Sequence, residues 1–128
     1  MDQATLNRLV QQAEERKLFL RTTKGEEYCR GDADPLANFK RVAGGCGLTA
    51  LQVWFVYASK QWDGIASFVK NGKILSNEDI EGRADDMQVY LDLFRGLVYE
   101  HKQKLEAETQ TTFGTTTSCE VPVNELPI

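Results

Sequence analysis

The chain predicts an all-α fold, a small bundle of about four helices with a long C-terminal helix and a flexible Thr-rich tail. Three observations predict it. Apolar residues recur at three- and four-residue steps along much of residues 1–108. Helix start and stop signals punctuate that pattern at Asp34-Pro35, Thr49, Asn71-Gly72 and Ser76-Asn77. An apolar fraction of 41 % over 128 residues is enough for one core and too little for a second. The expected organisation is therefore a single helical domain over 1–108, followed by a tail over 109–128.

The first helix is expected from Gln3 to about Phe19, on the spacing of Leu6, Leu9, Val10 and Ala13. From Arg21 to Asp34 the run RTTKGEEYCRGDAD contains two glycines and no periodicity, and a loop is expected there. Asp34 before Pro35 makes a helix start, since aspartate caps free amides and proline suits a first turn. The second helix then runs from Leu36 to about Ala43 and stops in the glycines at 44, 45 and 47. A third helix, capped by Thr49, spans Ala50 to about Asn71, with Asn71-Gly72 as its stop. Leu51, Trp54, Phe55, Ala58, Trp62, Ile65, Ala66 and Val69 fall on one broad face, so both tryptophans are expected inside and this helix at the centre of the core.

A fourth helix, capped by Ser76 or Asn77, is expected to reach about Glu108, with Glu78, Asp79 and Glu81 in its first turns. Ile80, Ala84, Met87, Leu91, Phe94, Val98 and Leu105 step by fours and threes, with His101 in the remaining slot. Such a seam suits a bundle or a helix-to-helix contact between copies of the chain. After Glu108 the threonine-rich composition has too few apolar groups for a core, and the final VPVNELPI suits an extended docking segment.

Composition excludes several classes. Fifteen Lys and Arg against 19 Asp and Glu leave a net charge of −4, which argues against nonspecific nucleic-acid binding. No apolar run approaches the ~20 residues that span a bilayer, and the N-terminus lacks a secretory layout, so a cytoplasmic protein is expected. Cys29, Cys46 and Cys119 are an odd number with unrelated spacings, which fits a reducing compartment and neither a disulfide framework nor a CxxC zinc site. GGCG lacks the Lys and Ser/Thr of a phosphate loop. The single histidine, His101, suits a partly buried structural role, and Cys29 has no paired base in the sequence.

The acidity is localised. Between Asn77 and Glu108 nine acidic residues face four basic ones, a local balance of −5 that leaves the rest of the chain near +1. At ~100° per residue, Glu78, Glu81, Asp85 and Asp92 fall within about a 60° sector, with Asp79, Asp86 and Tyr90 on a second row. Like charges one turn apart repel, so such rows meet solvent, basic groups or a hard cation. A solvated face softened by Arg83 is one reading; Mg²⁺ shared with substrate phosphates is the other. Asp63 completes the carboxylate cluster if its side of the third helix faces the acidic row, and Lys60 is then placed for a phosphate.

The segments KGEEYCRGDADPLANFKRVA, VYASKQWDGIASFVKNGK and SNEDIEGRADDMQVYLDLFRGLVYE resemble small phage-type proteins near the all-α NTP pyrophosphohydrolases, including MazG-like enzymes and nucleotide-modification-associated domains. The resemblance covers about Lys24 to Glu100. It implies an oligomeric helical fold that binds nucleoside triphosphates and Mg²⁺ through carboxylates. Carried over residue by residue, Glu81 and Asp85 or Asp86 match the acidic positions of the last helix. With Asp63, supplied by the facing of the third helix as above, Asp63, Glu81 and Asp85 are the catalytic candidates. The same three, with Asp86, are the metal candidates, and Lys60, Asn38 and Tyr90 (with Phe39 beside Asn38) are the substrate-binding ones. The chain departs from the hydrolysing pattern. An ExxE on the preceding helix is missing, Glu26 and Glu27 fall in the expected loop, Glu81 and Asp85 are one residue wider than ExxD, and Val89 stands where Asn is expected. The sequence therefore points to a nucleotide-binding or nucleotide-hydrolysing protein. The alternatives are a non-enzymatic phage protein that inhibits a host defence or nucleic-acid-processing complex through its acidic surface, and a virion assembly component.

Overall fold

The computed structural model describes residues 1–113, which form four helices: α1 (Gln3–Tyr28), α2 (Ala37–Cys46), α3 (Ala50–Asn71) and α4 (Ile80–Phe113). The tail expected from 109 onward begins inside α4, and 114–128 with Cys119 and VPVNELPI lie outside the described residues. Among the described residues no single helix is long and apolar enough to cross a membrane.

α3 forms where its signals put it. Thr49 accepts from the Gln52 amide while the Gln52 side chain accepts from the Thr49 amide, a reciprocal capping box. At the other end Gly72 takes φ 69° and donates to the Phe68 carbonyl; this left-handed conformation is costly for any residue with a Cβ.

The other three helices differ from expectation. α1 does not stop at Phe19 but continues through Arg21, Lys24 and Glu27 to Tyr28, so only 29–36 remain as the connection to α2. That second half is polar on every side, and its helical propensity is carried by Arg, Lys and Glu rather than by an apolar face. α2 starts at Ala37 and passes through Gly44 and Gly45, and only Gly47, at φ 67°, ends it. Asp34 does organise the start, accepting from the Leu36 amide at 2.9 Å. α4 begins at Ile80, with Glu78 and Asp79 ahead of it and the Asp79 carboxylate accepting from the Glu81 amide at 3.2 Å.

α3 and α4 run antiparallel: Arg83 lies against Gly64, and Trp54 Nε1 donates to the Tyr90 carbonyl at 2.6 Å further along. The Arg83 side chain lies over Gly64, so a Cβ there would displace the flexible guanidinium end of that arginine. α1 runs parallel to α4 on another side, held by Arg16 to Asp85 and Arg21 to Asp92. α2 turns into α3 through about 106° and closes the front of the α3–α4 pair. The core lies there: Leu36, Phe39, Ala43, Val53 and Leu97, with Trp54, Tyr57, Tyr90 and Leu93 packed around them.

This placement keeps part of the expected α3 face inside, with Ala58 buried and Leu51 and Trp54 packed on the core, and leaves Phe55, Trp62, Ala66 and Val69 exposed. Trp62 is 59 % exposed and Phe55 66 %, so only Trp54 of the two tryptophans packs inward, against Phe94 at 4.7 Å. On α4 the apolar seam is not the inner face. Ala84, Leu91 and Phe94 are exposed, while Asp85, Asp86, Tyr90, Leu93 and Leu97 face α1, α2 and α3. Of the three compensations expected for the acidic rows (solvent, basic groups or a hard cation), Asp85, 4 % exposed, meets a basic group. That group is Arg16. Its guanidinium donates to both Asp85 oxygens, at 2.7 and 3.3 Å, so the carboxylate is paired as it is buried.

Candidate functional site

A cleft of about 690 Å³ opens where all four helices meet. The second half of α1 supplies Arg21, Lys24, Glu26 and Tyr28, and the connection to α2 adds Asp32 and Pro35. Asn38 and Arg41 come from α2, Tyr57, Lys60 and Gln61 from α3, and Asp86, Val89 and Tyr90 from α4. The volume lies within the ~300–1,000 Å³ range of small-molecule sites.

The walls are aromatic because the core beneath them is. Phe39 is fully buried at the base, with the Tyr57 ring at 5.9 Å and the Tyr90 ring at 6.4 Å, tilted or edge-on as aromatic quadrupoles favour. Burial, then the nearby Asp86 carboxylate, pushes the Tyr90 hydroxyl above its usual range, so it stays a hydrogen-bond donor at physiological pH. The rim is charged. Arg41 donates to the Tyr28 carbonyl at 3.3 Å, which steers it across from α2 to the end of α1. Lys60 is exposed at the cleft and forms no ion pair with a described residue. Asp86 is half-buried. Desolvation raises its carboxyl above the ordinary aspartate value, while the Lys24 ammonium partly opposes the rise.

Arg21, Lys24, Arg41 and Lys60 outnumber Glu26, Asp32 and Asp86, so the lining is net cationic although the chain is acidic. A cationic rim over aromatic walls suits an anionic ligand with a flat ring.

The structure brings Asn38, Lys60, Asp86 and Tyr90 together in this cleft. It does not bring the remaining candidates there. Asp85 faces Arg16, Glu81 is exposed at the start of α4, and Asp63 is exposed on α3. Among the described residues no three His, Cys, Asp or Glu side chains stand together as a metal-holding group. A carboxylate cage built on Asp63, Glu81 and Asp85 therefore does not fit this arrangement. Asp86 is the one metal candidate that lines the cleft.

Several cleft residues had been assigned elsewhere or passed over. Glu26 and Lys24 were placed in a loop; as part of α1 they line the cleft. Cys29 is buried, its thiol donating to the Pro35 carbonyl at 3.5 Å, which is structural rather than reactive. Arg41 and Tyr57 sit in the helical segments read from the sequence, but only the 106° turn between α2 and α3 brings them to one opening. His101 is half-buried on α4, away from the cleft. Comparison with protein-family models, curated proteins and solved structures returned no match for this chain.

Proposed function

We propose that the four-helix cleft binds nucleoside triphosphates, with the base against Tyr57 and Tyr90 and the phosphates on Lys60, Lys24 and Arg41. One observation carries this reading. Asn38, Lys60, Asp86 and Tyr90 come from three different helices, were singled out by the resemblance to MazG-like proteins, and converge on one cleft of suitable size. Each cleft group has a task in it. Aromatic rings offer a stacking face worth ~1–3 kcal/mol per base. Among the described residues Lys60 has no ion-pair partner to give up on meeting a phosphate. Asp86 takes Mg²⁺ jointly with phosphate oxygens, and the cation offsets the desolvation that disfavours its carboxylate.

Calorimetric titration of the full chain with a panel of nucleoside triphosphates, with and without Mg²⁺, tests the proposal. Binding is expected for at least one of them, tighter with Mg²⁺. Lys60→Ala is expected to weaken it ~10-fold or more, the effect of removing one charge-assisted contact worth ~1.5–3 kcal/mol. Absence of binding heat across the panel overturns the reading. Pyrophosphate release in the same mixtures extends it to turnover, in which water adds to the α-phosphorus and pyrophosphate leaves from the α–β anhydride.

A further inference from the structure

The back of the α3–α4 pair, away from α2 and the cleft, is apolar and uncovered. On α3, Phe55, Ser59, Trp62, Ala66 and Val69 step by four and three residues. Trp62 is 59 % exposed, Phe55 66 % and Val69 78 %. On α4, Ala84, Met87, Leu91, Phe94 and Val98 step by three and four, with Leu91 45 % and Phe94 36 % exposed. The Trp54–Phe94 ring contact joins the two stripes at one end. None of these ten positions carries a charge, in a chain where 27 % of residues do. Like-charge repulsion therefore keeps nothing away from this face, and nothing on it is solvated strongly.

We infer that this face is a two-fold contact with a second copy of the chain. The area supports that occupant. The uncovered parts of Phe55, Trp62, Val69, Leu91 and Phe94 amount to roughly 500–600 Å², taking ~150–250 Å² for a large side chain. Ala66, Ala84, Met87 and Val98 extend the patch toward the ~800 Å² that each partner gives to a standard interface. The repeat supports it as well. α3 and α4 are antiparallel and carry the same four-three step, so a two-fold axis through the patch lays α3 of each copy on α4 of the other. The knobs of one stripe then meet the holes of the other in a four-helix layer. The cleft, on the opposite side of α4, stays open in such a dimer.

Sedimentation equilibrium of the full chain at micromolar concentration tests this. The expected mass is twice 14.4 kDa. Trp62→Glu and Phe55→Glu are each expected to give the monomer with unchanged helical circular dichroism, since both side chains are exposed in the single chain. A monomeric wild-type chain overturns the inference, whether residues 114–128, a lipid surface or another protein covers the face. A dimer that survives both substitutions overturns it too. A second measurement does not depend on how those variants fold. In Trp54→Phe, which leaves Trp62 as the only tryptophan, emission is expected to shift to the blue as concentration rises through the dimer range. Emission that stays at the wavelength of a solvated indole throughout contradicts the contact.

Discussion

At the residue scale, Asp85 and Asp86 are adjacent in sequence and are handled in opposite ways. Asp85 is buried and neutralised by Arg16, whose guanidinium the Asp85 hydrogen bond holds still more firmly protonated. Replacing Arg16 by Leu strands that carboxylate without its partner. The thermal midpoint is expected to fall by ~5 °C or more, and by clearly less for Arg21→Leu, whose contact with Asp92 is 3.7 Å long and exposed. Asp86 is half-buried and forms no ion pair among the described residues, and its carboxyl lies above the ordinary value of 3.8. Below that value both folded and unfolded chains hold the proton. As pH rises from 3.8 through the higher folded-state value, the unfolded chain releases its proton first, so stability falls across that window and remains lower above it. Asp86→Asn is therefore expected to raise the midpoint at pH 7 by a few degrees at most, because the carboxyl is still partly hydrated. The gain should disappear below about pH 4. The same substitution should weaken Mg²⁺-dependent nucleotide binding. A variant more stable yet poorer at binding places Asp86 among the groups a protein keeps for function. Nothing in the sequence distinguished these neighbours, because the distinction is made by Arg16, 69 residues away.

At the scale of elements, legibility followed where the signals were local. α3 was readable to the residue because its capping box and its left-handed glycine lie within the helix and one position beyond. The seam on α4 was equally visible as a pattern, but periodicity reports that a face is apolar and not what covers it. α2 and α3 pack mainly on the neighbouring face, through Phe39 and Tyr57 beside Tyr90, and Trp54 covers only part of the seam at Phe94, so Ala84 and Leu91 stay exposed. The second half of α1 was misread because it has no apolar face at all. Beyond Phe19 it meets α4 through the Arg21–Asp92 ion pair and lines the cleft with mostly polar side chains beside Leu20 and Tyr28. For the same reason only part of the cleft lining was legible: Asn38, Lys60, Asp86 and Tyr90 were singled out in the sequence and line it, while Lys24 and Glu26 depended on a helix that the pattern does not announce. α2 offers a direct check. Gly44 and Gly45 are exposed within the helix, and a Cβ on either would meet nothing within 4 Å. Gly44→Ala should therefore stabilise the protein by ~0.5–1 kcal/mol in urea titration, through a less flexible unfolded chain. Gly47→Ala, at φ 67°, should destabilise it by a similar amount. If the GGCG run were a terminator throughout, Gly44→Ala would instead be unfavourable.

At the scale of the whole molecule, the two sides of α4 divide the work. Its inner side completes the cleft and takes the buried charge, while its outer side carries the apolar seam. Among the described residues the buried apolar side chains are Cys29, Leu36, Phe39, Ala43, Val53, Ala58 and Leu97, and they gather on the α2 side. A single copy thus leaves large apolar groups of two helices in water, and each such group favours any state in which it is covered. If a second copy covers them, unfolding is coupled to dissociation and the thermal midpoint depends on protein concentration. With ~0.7 kcal/mol of unfolding enthalpy per residue over two copies of the described chain, the midpoint should rise by roughly 3 °C for each tenfold increase in concentration. Trp62→Glu should abolish that dependence and melt at one temperature at every concentration. A nucleotide bound in the cleft should raise both midpoints alike, since the cleft lies on the far side of α4 from the contact. A rise seen only in the dimer would mean that the cleft is completed by association, and the two sides of the helix would then have to be treated as one site.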